Sequence, residues 1–138
     1  MKKYNAGIIG ATGMVGQRFC SLLAEHPWFD VTVLAASPRS AGKTFEEALA
    51  GRWCMPSPLP AKLAGMTVLD AAADVDKIAR ACDLVFCAVD MKKDEIRELE
   101  LAYAKAECAV ISNNSAHRFT PDVPMIIPEL NPEHAQII

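Results

Sequence analysis

The stretch from Gly7 to Phe19, GIIGATGMVGQRF, constrains the fold of this chain more than any other. A short apolar run ends at Gly10, Gly13 and Gly16 follow at equal spacing, and an amphipathic pattern starts at once. Val15, Phe19, Leu22 and Leu23 stand at i, i+4, i+7 and i+8, which is one face of a helix. A strand that turns through glycines straight into a helix opens a strand–helix–strand unit, and such connections are right-handed.

The rest of the chain repeats that alternation. The strand at Ala6 to Ile9 and its helix end at His26-Pro27. Val31 to Ser37, VTVLAAS, follows as a β-branched, nearly continuous apolar run, the pattern of a parallel strand buried on both faces. MTVLD, Asp83 to Val89 and Ala109 to Ser112 read as further strands, and Val75 to Cys82 as a short helix. KKDEIRELELAYAKAEC reads as a longer helix with Ile96, Leu99, Tyr103 and Ala106 on one face. Pro38 to Gly65 is weakly patterned and rich in proline, an excursion over the surface with a short helix at Phe45 to Ala50 and Trp53 tucking it down. After the polar loop NNSAHRFTPD come the apolar VPMIIPELN and then PEHAQII, the opening of a helix. The expected fold class is α/β: a Rossmann-type, doubly wound, mostly parallel sheet with helices on both faces.

A chain of 138 residues with 51% hydrophobic composition buries one core, so residues 1–138 are expected to form one domain. Its 14 basic and 17 acidic residues are mixed along the chain, which argues against nucleic acid or a membrane surface as the main partner. No apolar stretch approaches the roughly 20 residues that span a bilayer. The five cysteines, Cys20, Cys54, Cys82, Cys87 and Cys108, form no C-x-x-C pair and mostly sit in apolar runs. They read as reduced, buried thiols of a cytosolic protein, with neither a disulfide framework nor a metal site.

A phosphate held at a strand-to-helix turn needs backbone N–H groups aimed at it, no Cβ in the way and the positive end of a helix dipole behind it. Gly10, Gly13 and Gly16 supply the turn, the close approach and room for the helix to pack on the strand. The spacing G-x-x-G-x-x-G is only moderately specific by itself, and a ligand-free tight turn is the plainer alternative. The strand before it and the helix after it supply the context that a phosphate loop requires. Folds that bind NAD commonly place Asp or Glu at the end of the second strand to accept from the ribose 2′-hydroxyl. Here that place holds SPRSAGK. Ser37 is small and neutral, while Arg39, Ser40 and Lys43 offer donors to a dianionic 2′-phosphate, so the residues favour NADP over NAD.

With these motifs in view the chain resembles the cofactor domain of aspartate-semialdehyde dehydrogenases, in particular the archaeal and fungal branch. The resemblance runs through GATGMVG, LAASPRSAGK, DLVFCAV, SNNSAHR and DVPMIIPELNPEH, nearly the whole chain. It implies reductive dephosphorylation of 4-phospho-L-aspartate to L-aspartate 4-semialdehyde with NADPH, on the route to lysine, methionine and threonine, through a cysteine thioacyl enzyme. It implies that Gly10, Thr12, Gly13, Met14 and Val15 meet the pyrophosphate, that Ser37, Arg39 and Ser40 meet the 2′-phosphate, and that Cys87 and Ala88 line the cofactor cleft. Asn114 and Ser115 fall near the nicotinamide, and Arg118 binds the phosphate or acyl-phosphate of the substrate through its planar fork. His117 reads as a packing or solvent-facing residue.

The family's nucleophile lies in an Asn-Cys motif, and its base is a histidine much further on; neither motif occurs here. Cys87 is closest to the expected cleft but has no evident histidine partner. The chain is therefore expected to be the dinucleotide-binding part of a two-domain enzyme without its catalytic and dimer-forming domain, binding NADP without turnover. The full-length protein is expected to be a cytoplasmic homo-oligomer that takes a small acyl-phosphate or semialdehyde and phosphate. N-acetyl-glutamyl-phosphate reductase and malonyl-CoA reductase share the fold and the thiol chemistry. Met14 stands where the first commonly has Tyr, while the second is harder to separate. A non-catalytic nucleotide-binding module is the alternative of another class.

Overall fold

A computed structural model describes residues 2–138. Five strands form one sheet in the order β3-β2-β1-β4-β5, and every adjacent pair is parallel. The strands are β1 (Tyr4–Ile9), β2 (Phe29–Ala36), β3 (Val68–Asp70), β4 (Leu84–Cys87) and β5 (Ala109–Ser112). The helices between them are α1 (Met14–Leu23), α2 (Phe45–Leu49), α3 (Ala61–Ala64), α4 (Val75–Ala81) and α5 (Lys93–Lys105).

The continuous apolar runs are explained by burial on both faces. In β2, Leu34 and Ala36 join Ala6, Ile8, Cys20, Phe45, Leu49 and Leu63 on the side of α1, α2 and α3. Val33 and Ala35 join Ile9, Ile78, Val85, Cys87, Leu99 and Tyr103 on the side of α4 and α5. Successive side chains point to opposite faces, so a strand covered on both sides is apolar at nearly every position.

Most boundaries agree with the sequence reading, and the differences have local causes. β2 begins at Phe29 instead of Val31, because Phe29 and Asp30 pair with Tyr4 and Asn5 at the amino end of β1. The segment from Pro38 to Gly65 is less superficial than expected, since Phe45, Leu49 and Leu63 are buried in the core. Its α2 carries a complete capping box, with the Thr44 hydroxyl accepting from the Glu47 amide and the Glu47 carboxylate accepting from the Thr44 amide. Trp53 tucks the segment down edge-on to Phe45, with ring centroids 6.5 Å apart. The helix expected at the end of the chain is a 3-10 helix, Pro132–Ile137, and VPMIIPELN forms no strand. The buried-thiol reading holds for Cys20, Cys82, Cys87 and Cys108 and fails for Cys54, which is exposed in the excursion.

Among the described residues no helix is long and apolar enough to cross a membrane.

Candidate functional site

The chain enters the sheet at its centre with β1, winds outward to β2 and β3, then crosses back to lay β4 on the other side of β1. The carboxyl ends of β1 and β4 therefore diverge at a switch point, the place where open α/β sheets leave a crevice for a ligand. The glycine loop lies there. The amides of Gly10 and Ala11 both donate to the Ala35 carbonyl, at 2.9 and 3.0 Å, tying the loop to the end of β2.

Two of the three glycines are required by the protein itself. Gly10 has φ +88°, and a β-carbon there would lie 2.2 Å from the Ala88 carbonyl oxygen at the end of β4. A β-carbon on Gly16 would lie 2.0 Å from the Gly10 carbonyl oxygen, so α1 packs its first turn directly on the loop. Gly13 is different. Its backbone is ordinary extended chain, with φ −76° and ψ 166°, and the nearest atom to an added β-carbon is 3.5 Å away. Nothing in the protein demands a glycine there.

That helix start is electrostatically open. The N-cap supplies no side-chain hydrogen bond, and no acidic residue stands in the first turn. The amides of Gly13 and Gln17 are bonded within the loop, to Gly10 O and Gly13 O, while those of Thr12, Met14 and Val15 have no partner among the described residues. Unpaired amides at the positive end of a helix dipole attract an anion. Met14 is 71% exposed and Val15 41% exposed, so the mouth also carries uncovered apolar surface.

Beside it, the chain leaves β2 in a turn in which the amides of Ser40 and Ala41 donate to the Ser37 carbonyl. Ser37 and Arg39 are exposed and Ser40 is buried in the turn. Arg39 pairs with no carboxylate; the ion pair among the described residues joins Lys62 and Asp30 on the surface. Lys43 is exposed, with its backbone locked to Val68 in β3.

On the far side of β1 the ends of β4 and β5 come together. The Asn113 amide donates to the Cys87 carbonyl at 2.9 Å. Asn114 Nδ2 lies 3.4 Å from Cys87 Sγ and 2.9 Å from Glu100 Oε1. The Cys87 thiol is pushed up to about 12, first by burial and then by the Glu100 charge, so it is held neutral and unreactive. Arg118 donates to the Asn113 carbonyl at 3.2 Å with its guanidinium exposed. His117 is a packing residue as expected, its ring bonded to the Thr120 hydroxyl and the Arg97 carbonyl. The loop thus gathers Gly10 to Val15 with Ser37 to Ser40 on one side of β1, and Cys87, Ala88, Asn114 and Arg118 on the other.

Two polar residues escaped the sequence reading. Gln17, 3% exposed, donates from Nε2 to the carbonyls of Thr12 and Arg52 and accepts at Oε1 from the Cys54 amide. It clamps the glycine loop to the excursion. Glu100, 5% exposed, accepts from the Ser112 hydroxyl as well as from Asn114. A signal for Glu100 existed, since it stands at i+4 from Ile96 on the buried face of α5, where a carboxylate is out of place.

A family profile described as "Semialdehyde dehydrogenase, NAD binding domain" matches residues 5–138. The chain is 42% identical over 141 aligned residues to an aspartate-semialdehyde dehydrogenase of Archaeoglobus fulgidus, and 40% identical over 138 to one of Trichophyton rubrum. Each comparison covers 99% of this chain but 37% and 36% of the relative, so the chain spans little more than a third of their length. The fold superposes with a TM-score of 0.87 on the crystal structure of aspartate semialdehyde dehydrogenase with NADP from Candida albicans. That match has 37% identity and covers 98% of this chain and 36% of the other.

Proposed function

The chain belongs to the semialdehyde dehydrogenase family, matching its NAD binding domain over residues 5–138, and on that premise we propose that it is the NADP-binding part of an aspartate-semialdehyde dehydrogenase. The observation that carries the proposal is the open anion cradle. Gly13 leaves room that the fold does not use, Thr12, Met14 and Val15 present unpaired amides, and Arg39 stands unpaired at the end of β2. These residues fit a dinucleotide that carries a 2′-phosphate.

In that assignment the amides of Thr12, Met14 and Val15 take the pyrophosphate, and Gly13, whose own amide is held by the Gly10 carbonyl, lets it approach closely. Ser37, Arg39 and Ser40 take the 2′-phosphate, where a carboxylate would repel it. Ser40 contributes through its turn, being largely buried. Ala88 and Asn114 line the nicotinamide side, with Cys87 beneath them. Bound NADPH supplies the hydride that reduces an acyl group. Arg118 keeps most of its guanidinium donors free for the oxyanion of the substrate.

No residue of this chain serves as the nucleophile in the proposal. A thiol held near 12 presents negligible thiolate at neutral pH, so Cys87 shapes the cleft and does not attack. The chain binds cofactor, and turnover of 4-phospho-L-aspartate to L-aspartate 4-semialdehyde requires the rest of the enzyme. The whole protein is read as a cytoplasmic homo-oligomer that takes an acyl-phosphate or semialdehyde substrate with inorganic phosphate.

Calorimetric titration with NADP and NAD tests the cofactor reading. Tighter binding of NADP is expected; equal affinity for the two, or binding of neither, would overturn it.

A further inference from the structure

Glu100 is a buried carboxylate without a cation. It is 5% exposed on α5, and no lysine, arginine or histidine among the described residues pairs with it. Burying a charge costs free energy, and hydrogen bonds return only part of that cost. An apolar residue at this place would suit the packing of α5 better, so Glu100 is not explained as part of the core.

Its partners lie at the end of β5 and in the loop that follows. A single oxygen, Oε1, accepts from the Ser112 hydroxyl and from Asn114 Nδ2. The Ser112 oxygen in turn accepts from the Asn114 backbone amide at 3.0 Å. The chain leaving β5 is thus organised around one carboxylate at the edge of the cleft.

The chemistry of these partners fixes an orientation. A side-chain amide offers an NH₂ at one end and a carbonyl oxygen at the other, and a carboxylate only accepts. Asn114 must therefore turn its Nδ2 inward to Glu100 and Cys87 and its Oδ1 away from them. That oxygen has no partner among the described residues, yet it is not sealed from solvent, since no buried side-chain polar atom there is left unsatisfied.

We propose that Glu100 is a positioning residue that sets the amide of Asn114 so that the cleft meets a hydrogen-bond acceptor and not a donor. The ligand group it serves is an N–H donor, the primary carboxamide on the pyridine ring of the cofactor. This rests on the cofactor reading given above.

The test compares NADP with 2′-phospho-ADP-ribose, which lacks the nicotinamide, by calorimetry on the 138-residue chain. Glu100→Leu and Glu100→Asp remove or withdraw the acceptor that holds Asn114. Both are expected to weaken NADP by roughly five- to tenfold, the worth of one neutral hydrogen bond, with the fragment's affinity unchanged. Glu100→Gln keeps an acceptor oxygen in place and is expected to restore NADP binding. Where Glu100→Leu does not fold, Glu100→Asp carries the comparison. Equal weakening of both nucleotides, as general loosening would give, or no weakening of either, overturns the inference while leaving the cofactor reading intact. A wild-type chain that binds neither nucleotide overturns the cofactor reading and this inference with it.

Discussion

A β-carbon on Gly16 would stand 2.0 Å from the carbonyl oxygen of Gly10, closer than any real contact of that kind, while one on Gly13 would meet nothing nearer than 3.5 Å. The same three-residue spacing therefore holds a glycine the fold requires and one it does not. Gly16→Ala is expected to destabilise the fold by about 1–3 kcal/mol, because backbone must move to admit the methyl group. Gly13→Ala is expected to keep stability to within about 1 kcal/mol, the usual range for an alanine at an N-cap. It is also expected to weaken NADP more than tenfold. Thermal unfolding and titration of the two variants separate the outcomes, and a Gly13→Ala chain that binds NADP as wild type does would remove that residue from the cradle.

Arg39 is the only cation proposed to read the 2′-phosphate directly from an unpaired state. Losing one charge-assisted contact costs roughly 1.5–3 kcal/mol. Arg39→Ala is therefore expected to weaken NADP by about ten- to a hundredfold and leave NAD unchanged. Parallel loss of both cofactors would assign Arg39 to the fold instead.

Gln17 satisfies three backbone groups at once, the carbonyls of Thr12 and Arg52 and the amide of Cys54. Gln17→Leu leaves them without that partner in a partly buried site, which is expected to cost about 1–3 kcal/mol in a denaturant titration. Restoration of stability in Gln17→Glu is not expected, because a carboxylate cannot donate to the two carbonyls.

The thiols set an alkaline limit. Burial pushes Cys20 and Cys87 from 9.0 to about 12 and Cys82 to about 11. Above pH 9 the unfolded chain loses these protons while the folded chain keeps them, so the unfolded state binds fewer and stability falls as pH rises. The decline is expected between pH 9 and about 12, at no more than about 1.4 kcal/mol per pH unit for each thiol. Cys20→Ala should show a shallower slope in urea unfolding across that range. At pH 8 Cys54 alone is expected to react readily with a thiol reagent, the other four being buried. Reaction of all five at one rate would contradict the burial described.

Much of this was legible along the chain because it depends on local pattern. Burial on both faces made β2 and β4 nearly continuous apolar runs, and the glycine spacing marked the loop before any strand was placed. The resemblance to the family followed from GATGMVG, LAASPRSAGK, DLVFCAV, SNNSAHR and DVPMIIPELNPEH taken in order, the last two being more specific than a glycine loop. Glu100 and Gln17 were not legible as site residues, since all their partners but Thr12 lie at sequence distances of 12 to 37 residues and only folding brings them into contact. Cys54 was misread because its apolar neighbours lie in a proline-rich excursion that turns it outward.

Alternation of strand and helix, the glycine turn and the acid-free end of β2 are properties of the sequence by itself, because backbone conformation and charge type are written residue by residue. Which glycines the fold requires and which it leaves free was decided only by tertiary structure. That distinction depends on what lies opposite each Cα, and for Gly10 it is Ala88, whose place beside β1 follows from the crossing of β4 at the centre of the sheet.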